Sequence, residues 1–431
     1  MDFEDQTAGE RFVSRRDVLR GIASTAVVAS AAPLLGAAPS GPLATISNLL
    51  KIDPKHAGKG MRFELGGVFP LTGQGAIFGN RFQDVPNLAF KHIAALGGPS
   101  FNFTMKDNKS GDPQAGVDAV RELGAAHVPM QLSSFAGDLG AMIPGIKQYK
   151  ILSLDGSGGT SVFAQNKPYY YGSIAITPND AIPGVTKYLK AKMPGAKRLA
   201  FVGWDLGSLS DQVARSMRKY LTSGTTLVAD ERTAVGETDY SASLQKVKAA
   251  NPDIVLLAVY TEDVGYFMKQ YVTSGINKPV VTFTHTDAAL KIAGPAYEGL
   301  YFSFDYFDPD RPRNPWARYF IEEFKAIESG TAPDYYSANT YEDVFTLWEC
   351  IRRVLKAGGN PKDGAQLDRA FRSNPTFPSL YGGSNNAAGT ISFDMQTHSV
   401  KSRPMAMLQY RSGRVTPLAY FNIGGDGFRL A

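Results

Sequence analysis

The chain predicts an α/β protein of two lobes with mostly parallel sheets, and three observations carry that prediction. Apolar strand patterns alternate with amphipathic helix patterns from Arg62 onward, the order that builds parallel sheets with crossover helices. The alternation starts afresh after Tyr169-Tyr170-Tyr171. A length of 431 residues exceeds what one ordinary core holds. Hydrophobic residues at 43% and charged residues at 20% suit a globular chain rather than a disordered one.

The first elements are not part of the alternation. Ser14-Arg15-Arg16-Asp17-Val18-Leu19-Arg20 precedes the Ala-rich run GIASTAVVASAAPLLGAAPS. Paired arginines before a weakly apolar run resemble a twin-arginine export signal over residues 1–38. The run is short and poor in strongly apolar residues, so it makes a poor membrane anchor. Gly36-Ala37-Ala38 offers small residues for cleavage, and no cysteine follows them, so a lipoprotein is not expected. Residues 39–61 are rich in Pro, Gly and Lys and read as a linker.

The alternation then runs as follows. Strand one is Arg62–Phe69, and a helix continues to about Ala95, with Pro86 implying a late start or a kink. Strand two is Phe101–Asp107. Asp112 caps the next helix and Pro113 suits its first position, carrying it to about Ala126. Short strands follow near Val128–Leu132 and Ile151–Leu154. The second block has strands at Arg198–Trp204, Thr226–Glu231, Ile254–Val259 and Val280–Phe283. Helices lie between them at Ser210–Thr222, Tyr240–Ala250 (capped by Asp239) and Glu262–Ser274. Two long helices, Pro315–Ser329 and Ser337–Ala357, and a shorter one after Asp363 come next. Strand-like pieces at Thr390–Phe393, Met405–Tyr410 and Val415–Ile423 close the pattern.

Pro70-Leu71-Thr72-Gly73, Ala76, Phe78-Gly79, Gly97-Gly98 and Gly111-Asp112-Pro113 stand in the order strand, loop, helix, strand, acidic turn. Gly236-Glu237-Thr238-Asp239-Tyr240-Ser241, Asn251-Pro252-Asp253 and Gly389-Thr390-Ile391-Ser392-Phe393-Asp394 follow at fitting intervals. Together these motifs resemble the type I periplasmic solute-binding proteins of ABC importers, the leucine/isoleucine/valine-binding family, along nearly all of Arg62–Ile423. The resemblance implies two Rossmann-like lobes joined by a three-strand hinge, with a ligand cleft between them. By the same analogy lobe 1 takes 62–175 and 305–380, and lobe 2 takes 176–304 and 381–423. It implies a periplasmic protein that captures a small carboxylate-bearing solute, above all an apolar or aromatic amino acid, and closes on it. An aromatic or aliphatic carboxylic acid, a short amide or urea, and a sensing rather than a transport role are the alternatives. The implied partners are the ligand and the ABC permease subunits, and the protein is expected to be a monomer.

The resemblance also names candidate ligand residues. Ser134, Phe135 and Ala136 follow the third strand, where the family holds a ligand carboxylate. Asp155, Ser157 and Gly158 follow the fourth, where this chain departs from the family pattern with Asp for Ser and added glycines. Phe78 takes the aromatic place in the first loop. On the second lobe Trp204 follows one strand, Tyr260 and Glu262 the next, and Asp287 the one after. Physics agrees that loops beyond the carboxyl ends of parallel strands, with their free N–H groups and helix N-termini, suit a carboxylate.

Other classes find little support. A net charge of +5, or 41 basic against 35 acidic residues once 1–38 are removed, is too mild and too dispersed for nucleic acid. The five histidines lie far apart without metal-ligand spacing, so no metal is expected. Gly73, Gly75 and Gly79 with Asp107 faintly suggest a dinucleotide site, but the spacing is wrong, and neither a cofactor nor an enzyme is expected. Cys350 stands alone, cannot form an internal disulfide, and reads as a core residue of a helix.

Overall fold

A computed structural model describes residues 40–431 apart from 74, 77–79, 135–138, 157–163, 176–177, 208–209, 212–213, 216–217 and 220–223. The expected α/β architecture is present as two eight-stranded sheets. The first takes β1 (Arg62–Phe69), β2 (Ser100–Asp107), β3 (Met130–Ser133), β4 (Leu152–Asp155) and β5 (Tyr170–Gly172). The second takes β6 (Arg198–Trp204), β7 (Thr226–Thr233), β8 (Ile254–Ala258), β9 (Val280–Thr282) and β10 (Tyr301–Asp305). The chain then returns to the first sheet with β11 (Thr376–Ser384), β12 (Ala387–Asp394) and β13 (Ser399–Val400). It ends in the second with β14 (Pro404–Arg411), β15 (Arg414–Asn422) and β16 (Arg429–Leu430).

Both sheets repeat one plan. The parallel part runs β2-β1-β3-β4-β5 in one and β7-β6-β8-β9-β10 in the other, and three late strands extend each edge. β1 and β2 pair from Arg62 with Ser100 to Phe69 with Asp107. β8 is apolar at every position, β9 is apolar but for Thr282, and both are wholly buried, as strands covered on both faces must be. In this strand order the chain reverses direction between β1 and β3, and between β6 and β8. Loops on either side of such a reversal leave a crevice at the strands' carboxyl ends.

The helices follow the apolar periodicity closely. Asp112 caps Pro113–Ala125 by accepting from Ala115 N at 2.7 Å. Helix Arg81–Ala95 keeps Pro86 inside it, so the proline neither delays nor ends the helix. Helix Ser241–Ala249 has Tyr240 at its cap position, and Asp239 helps by accepting from Ser241 N at 2.9 Å. Helix Tyr335–Lys356 buries Tyr341, Val344, Leu347, Trp348 and Ile351 against the first lobe. Cys350 is buried in it as expected. The helix expected at Ser210–Thr222 lies partly outside the described residues. The sequence reading also missed helix Pro178–Lys192, where Pro183 and Gly184 interrupt the pattern, and strands β5, β10, β11, β13 and β16.

Two boundaries need correction. Residues 381–400 belong with the first sheet, because β11, β12 and β13 all pair there, so the third crossing lies at 401–403 rather than at 380. The late hairpin gave no sign of which sheet it would join, since an antiparallel edge pair suits either. The described part of the expected linker, 40–61, is folded. Helix Pro42–Leu49 and a short turn at Pro54–His56 bury Ile46, Leu50 and Ala57 on the first lobe. Trp348 Nε1 donates to Ala57 O at 2.9 Å, and Arg352 donates to Lys51 O at 2.6 Å.

Candidate functional site

The site follows from the strand ends. Val68 O, near the end of β1, accepts from Ser134 N at 3.1 Å, so the two arms of the first crevice are joined at its base. Asp107, ending β2, holds the Leu71-Thr72 loop, accepting from Leu71 N at 3.0 Å, Thr72 N at 3.2 Å and Thr72 Oγ1 at 2.5 Å. Its carboxylate is spent on that loop, which rules against the ribose role in a dinucleotide site. Ser134 is buried, and its carbonyl accepts from Asn108 Nδ2 at 2.8 Å. Asp155, ending β4, is also buried, and its carboxylate accepts from Ser133 Oγ at 2.7 Å. Gly156 passes so close to helix Tyr335–Lys356 that a Cβ there would lie 2.8 Å from Asn339 Oδ1.

On the second sheet, Trp204 ends β6 and Tyr260 follows β8, on opposite sides of the reversal point. Their ring centroids are 5.2 Å apart. Trp204 Nε1 donates to Asp263 Oδ2 at 2.7 Å, and Gly236 N donates to the same oxygen at 2.9 Å. Thr261 adopts a left-handed φ of 54°, which a β-branched residue rarely tolerates, and such strain often marks a binding loop. Its Oγ1 donates to Tyr260 O at 2.7 Å.

Burial raises the Tyr260 hydroxyl, with smaller contributions from Tyr336 and Asp180. Burial likewise raises Tyr336, opposed by its hydrogen bond with Tyr335 and aided by Asp334 and Asp155. Tyr336, the second residue of helix Tyr335–Lys356 of the first lobe, lines the same groove as Asp287 of the second. Tyr335 stacks beside it at 4.6 Å and lies 4.6 Å from Phe304. The sequence reading missed Tyr336. Its signal was an aromatic pair directly after the capping Asp334, but nothing local says that a helix start 180 residues from β4 reaches the same crevice.

Of the sequence candidates, Ser134, Trp204 and Tyr260 come to strand ends at the two reversal points, and Asp155 ends the neighbouring strand β4. Glu262 is half-buried at the cap position of helix Asp263–Tyr271. Asp287 is exposed as the first residue of helix Asp287–Ala293, and Thr286 is the cap, accepting from Ala289 N at 3.1 Å. Asp287 lines a groove of about 570 Å³ with Arg81, Asp334 and Tyr336. Phe78, Phe135, Ala136, Ser157 and Gly158 lie outside the described residues. No group of His, Cys, Asp and Glu suited to a metal occurs among the described residues.

Residues 63–414 match the family model described as periplasmic binding protein. The chain belongs to that family. It is thus a solute-binding protein of an ABC transporter, not an enzyme, and the family implies the periplasm. A Leu/Ile/Val-binding protein homologue of Brucella melitensis is 24% identical, over 73% of this chain and 83% of that one. A leucine-binding protein of Thermotoga maritima is 19% identical with a TM-score of 0.72, covering 84% of this chain and 99% of that one. An ABC-transporter solute-binding protein of R. palustris, solved with benzoate, is 16% identical with a TM-score of 0.68, covering 86% and 98%. The fold is therefore that of these binding proteins.

Proposed function

We propose that this protein captures a small carboxylate-bearing solute with an apolar or aromatic body, above all an amino acid, and delivers it to an ABC permease. The observation that supports the reading is the aromatic pair of Trp204 and Tyr260 at the second reversal point, with Tyr336 lining the groove beside Asp287. Aromatic walls suit an apolar side chain, and strand-end amides and hydroxyls suit a carboxylate. Asp287 and Glu262 are the carboxylates offered to an ammonium group. Closure of the lobes buries the ligand and adds contacts from the second lobe. Export through the paired arginines Arg15 and Arg16 belongs to the same proposal.

An aromatic or aliphatic acid without an amino group is the second reading. It is favoured because Asp155 and Asp263 already accept from protein donors, leaving less to hold an ammonium. Calorimetric titration of amino acids, benzoates and short amides, against wild type and Asp287→Asn, separates the two. If an amino acid is the ligand, its affinity falls by about tenfold or more in the variant. If a benzoate binds and keeps its affinity, the second reading stands. Binding of a nicotinamide dinucleotide alone would overturn both.

A further inference from the structure

Arg403 is completely buried, and so are the two carboxylates beside it, Asp305 and Glu342. A buried guanidinium needs this degree of pairing, because its desolvation is otherwise prohibitive. Its place in the chain sets it apart from an ordinary core ion pair. The chain passes between the sheets three times: after β5, after β10 and between β13 and β14. Arg403 lies on the third passage. It donates to Ser173 O on the first at 2.9 Å. Its Nε lies 2.8 Å from Asp305 Oδ2 at the start of the second, an ion pair rather than a well-aligned hydrogen bond. The remaining amine donates to Glu342 Oε2 on helix Tyr335–Lys356 at 2.5 Å. The guanidinium also sits 4.3 Å from the centre of the Tyr381 ring.

Backbone contacts tie the same passages together. Asp305 N donates to Ala175 O at 2.8 Å, and Tyr306 N donates to Pro404 O at 3.0 Å. The cluster also reaches the crevice. Ser173 N donates to Asp155 O at 3.0 Å, and Asn339 Nδ2 donates to Ser173 O at 3.0 Å. Ser173 Oγ lies 2.7 Å from Asp343 Oδ2. The strand end that opens the Asp155-Gly156 loop is thus two hydrogen bonds from Arg403.

We infer that Arg403 is the pin of the hinge: a positioning residue that holds all three passages at one point, limits the angles the lobes sample, and sets the Asp155-Gly156 loop through Ser173. Burial pushes Asp305 up to about 7 against the pull of Arg403, which is why the carboxyl needs the guanidinium beside it. The inference concerns the frame and not the solute, so it survives failure of the ligand proposal.

The test needs no ligand. Spin labels go on cysteines introduced at the exposed Val117 of the first lobe and Val272 of the second. Cys350 is buried and its thiol is pushed up by burial, so it stays unlabelled. Pulsed electron resonance then reads the distance distribution between the lobes. Arg403→Met alone strands two buried carboxylates and risks unfolding. The combined variant Arg403→Met, Asp305→Asn, Glu342→Gln removes the charges while keeping the shapes. The expected result is a distribution at least about twofold broader than in wild type in the folded combined variant, with faster amide exchange at Gly156. Arg403→Lys, which restores a charge to the pair, narrows it part of the way back. An unchanged distribution and unchanged exchange in the folded combined variant, whatever its melting temperature, would reduce Arg403 to a core ion pair and overturn the inference.

Discussion

His92 lies 1% exposed between three helices, with Nδ1 2.7 Å from Tyr341 Oη and Nε2 3.6 Å from Glu323. Burial pushes it down to about 4, against an upward pull from Glu323 and with Lys91 adding to the depression. An unfolded histidine titrates near 6.5. As pH falls below that, the unfolded chain takes up a proton that the fold refuses, so stability drops between about pH 6.5 and 4. The full loss for this one group is about 3 kcal/mol. Urea midpoints for wild type and His92→Phe at pH 7, 5.5 and 4.5 check it: the variant shows a shallower acid slope, and parallel slopes contradict it. Glu323 is held low first by Lys91 and less by His92, so most of its own contribution is common to both proteins. At this scale the site was half legible. Trp204 and Tyr260 follow strand patterns directly, so their positions could be read. Arg403 works through hydrogen-bond and ion-pair partners 61 to 230 residues away, and no local pattern records those contacts.

Helix Pro42–Leu49 shows how an element is decided by its surroundings. Eight residues with no side-chain cap do not hold a helix in water. Ile46 and Leu50 make it one by burying against the first lobe, with Leu43 and Leu49 packed alongside. Its Pro, Gly and Lys neighbours gave the composition of a linker, and the short apolar pattern was too brief to outweigh them. Ile46→Ala should lower unfolding stability by about 2–4 kcal/mol in a denaturant titration. A change within about 0.5 kcal/mol, as at an exposed site, would restore the linker reading. β11 teaches the converse lesson. It lies where the sequence reading placed a boundary between lobes, and its pairing with β12 keeps it in the first sheet.

The two sheets share one strand order, and the proposed site draws on the reversal points of both. Before that site can work the chain must leave the cytoplasm, and residues 1–38 carry the proposed address. Replacing Arg15 and Arg16 together with Lys should leave precursor in the cytoplasmic fraction, followed by immunoblotting of fractionated cells. Normal maturation of that variant, in a host without other export help, contradicts the twin-arginine route.

The sequence by itself determined the α/β class, most strands of the parallel cores, the cap at Asp112, and the family. Each of these is written in short-range periodicity or in motifs a few residues long, where local sterics and hydrogen bonding dominate. Tertiary structure alone decided which sheet takes the late hairpins, that residues 40–61 fold, that Tyr336 lines a groove with Asp287, and that Arg403 binds three passages. Those outcomes depend on contacts between segments far apart in the chain. Their energies come from burying surface and charge together, and no stretch of sequence contains both partners.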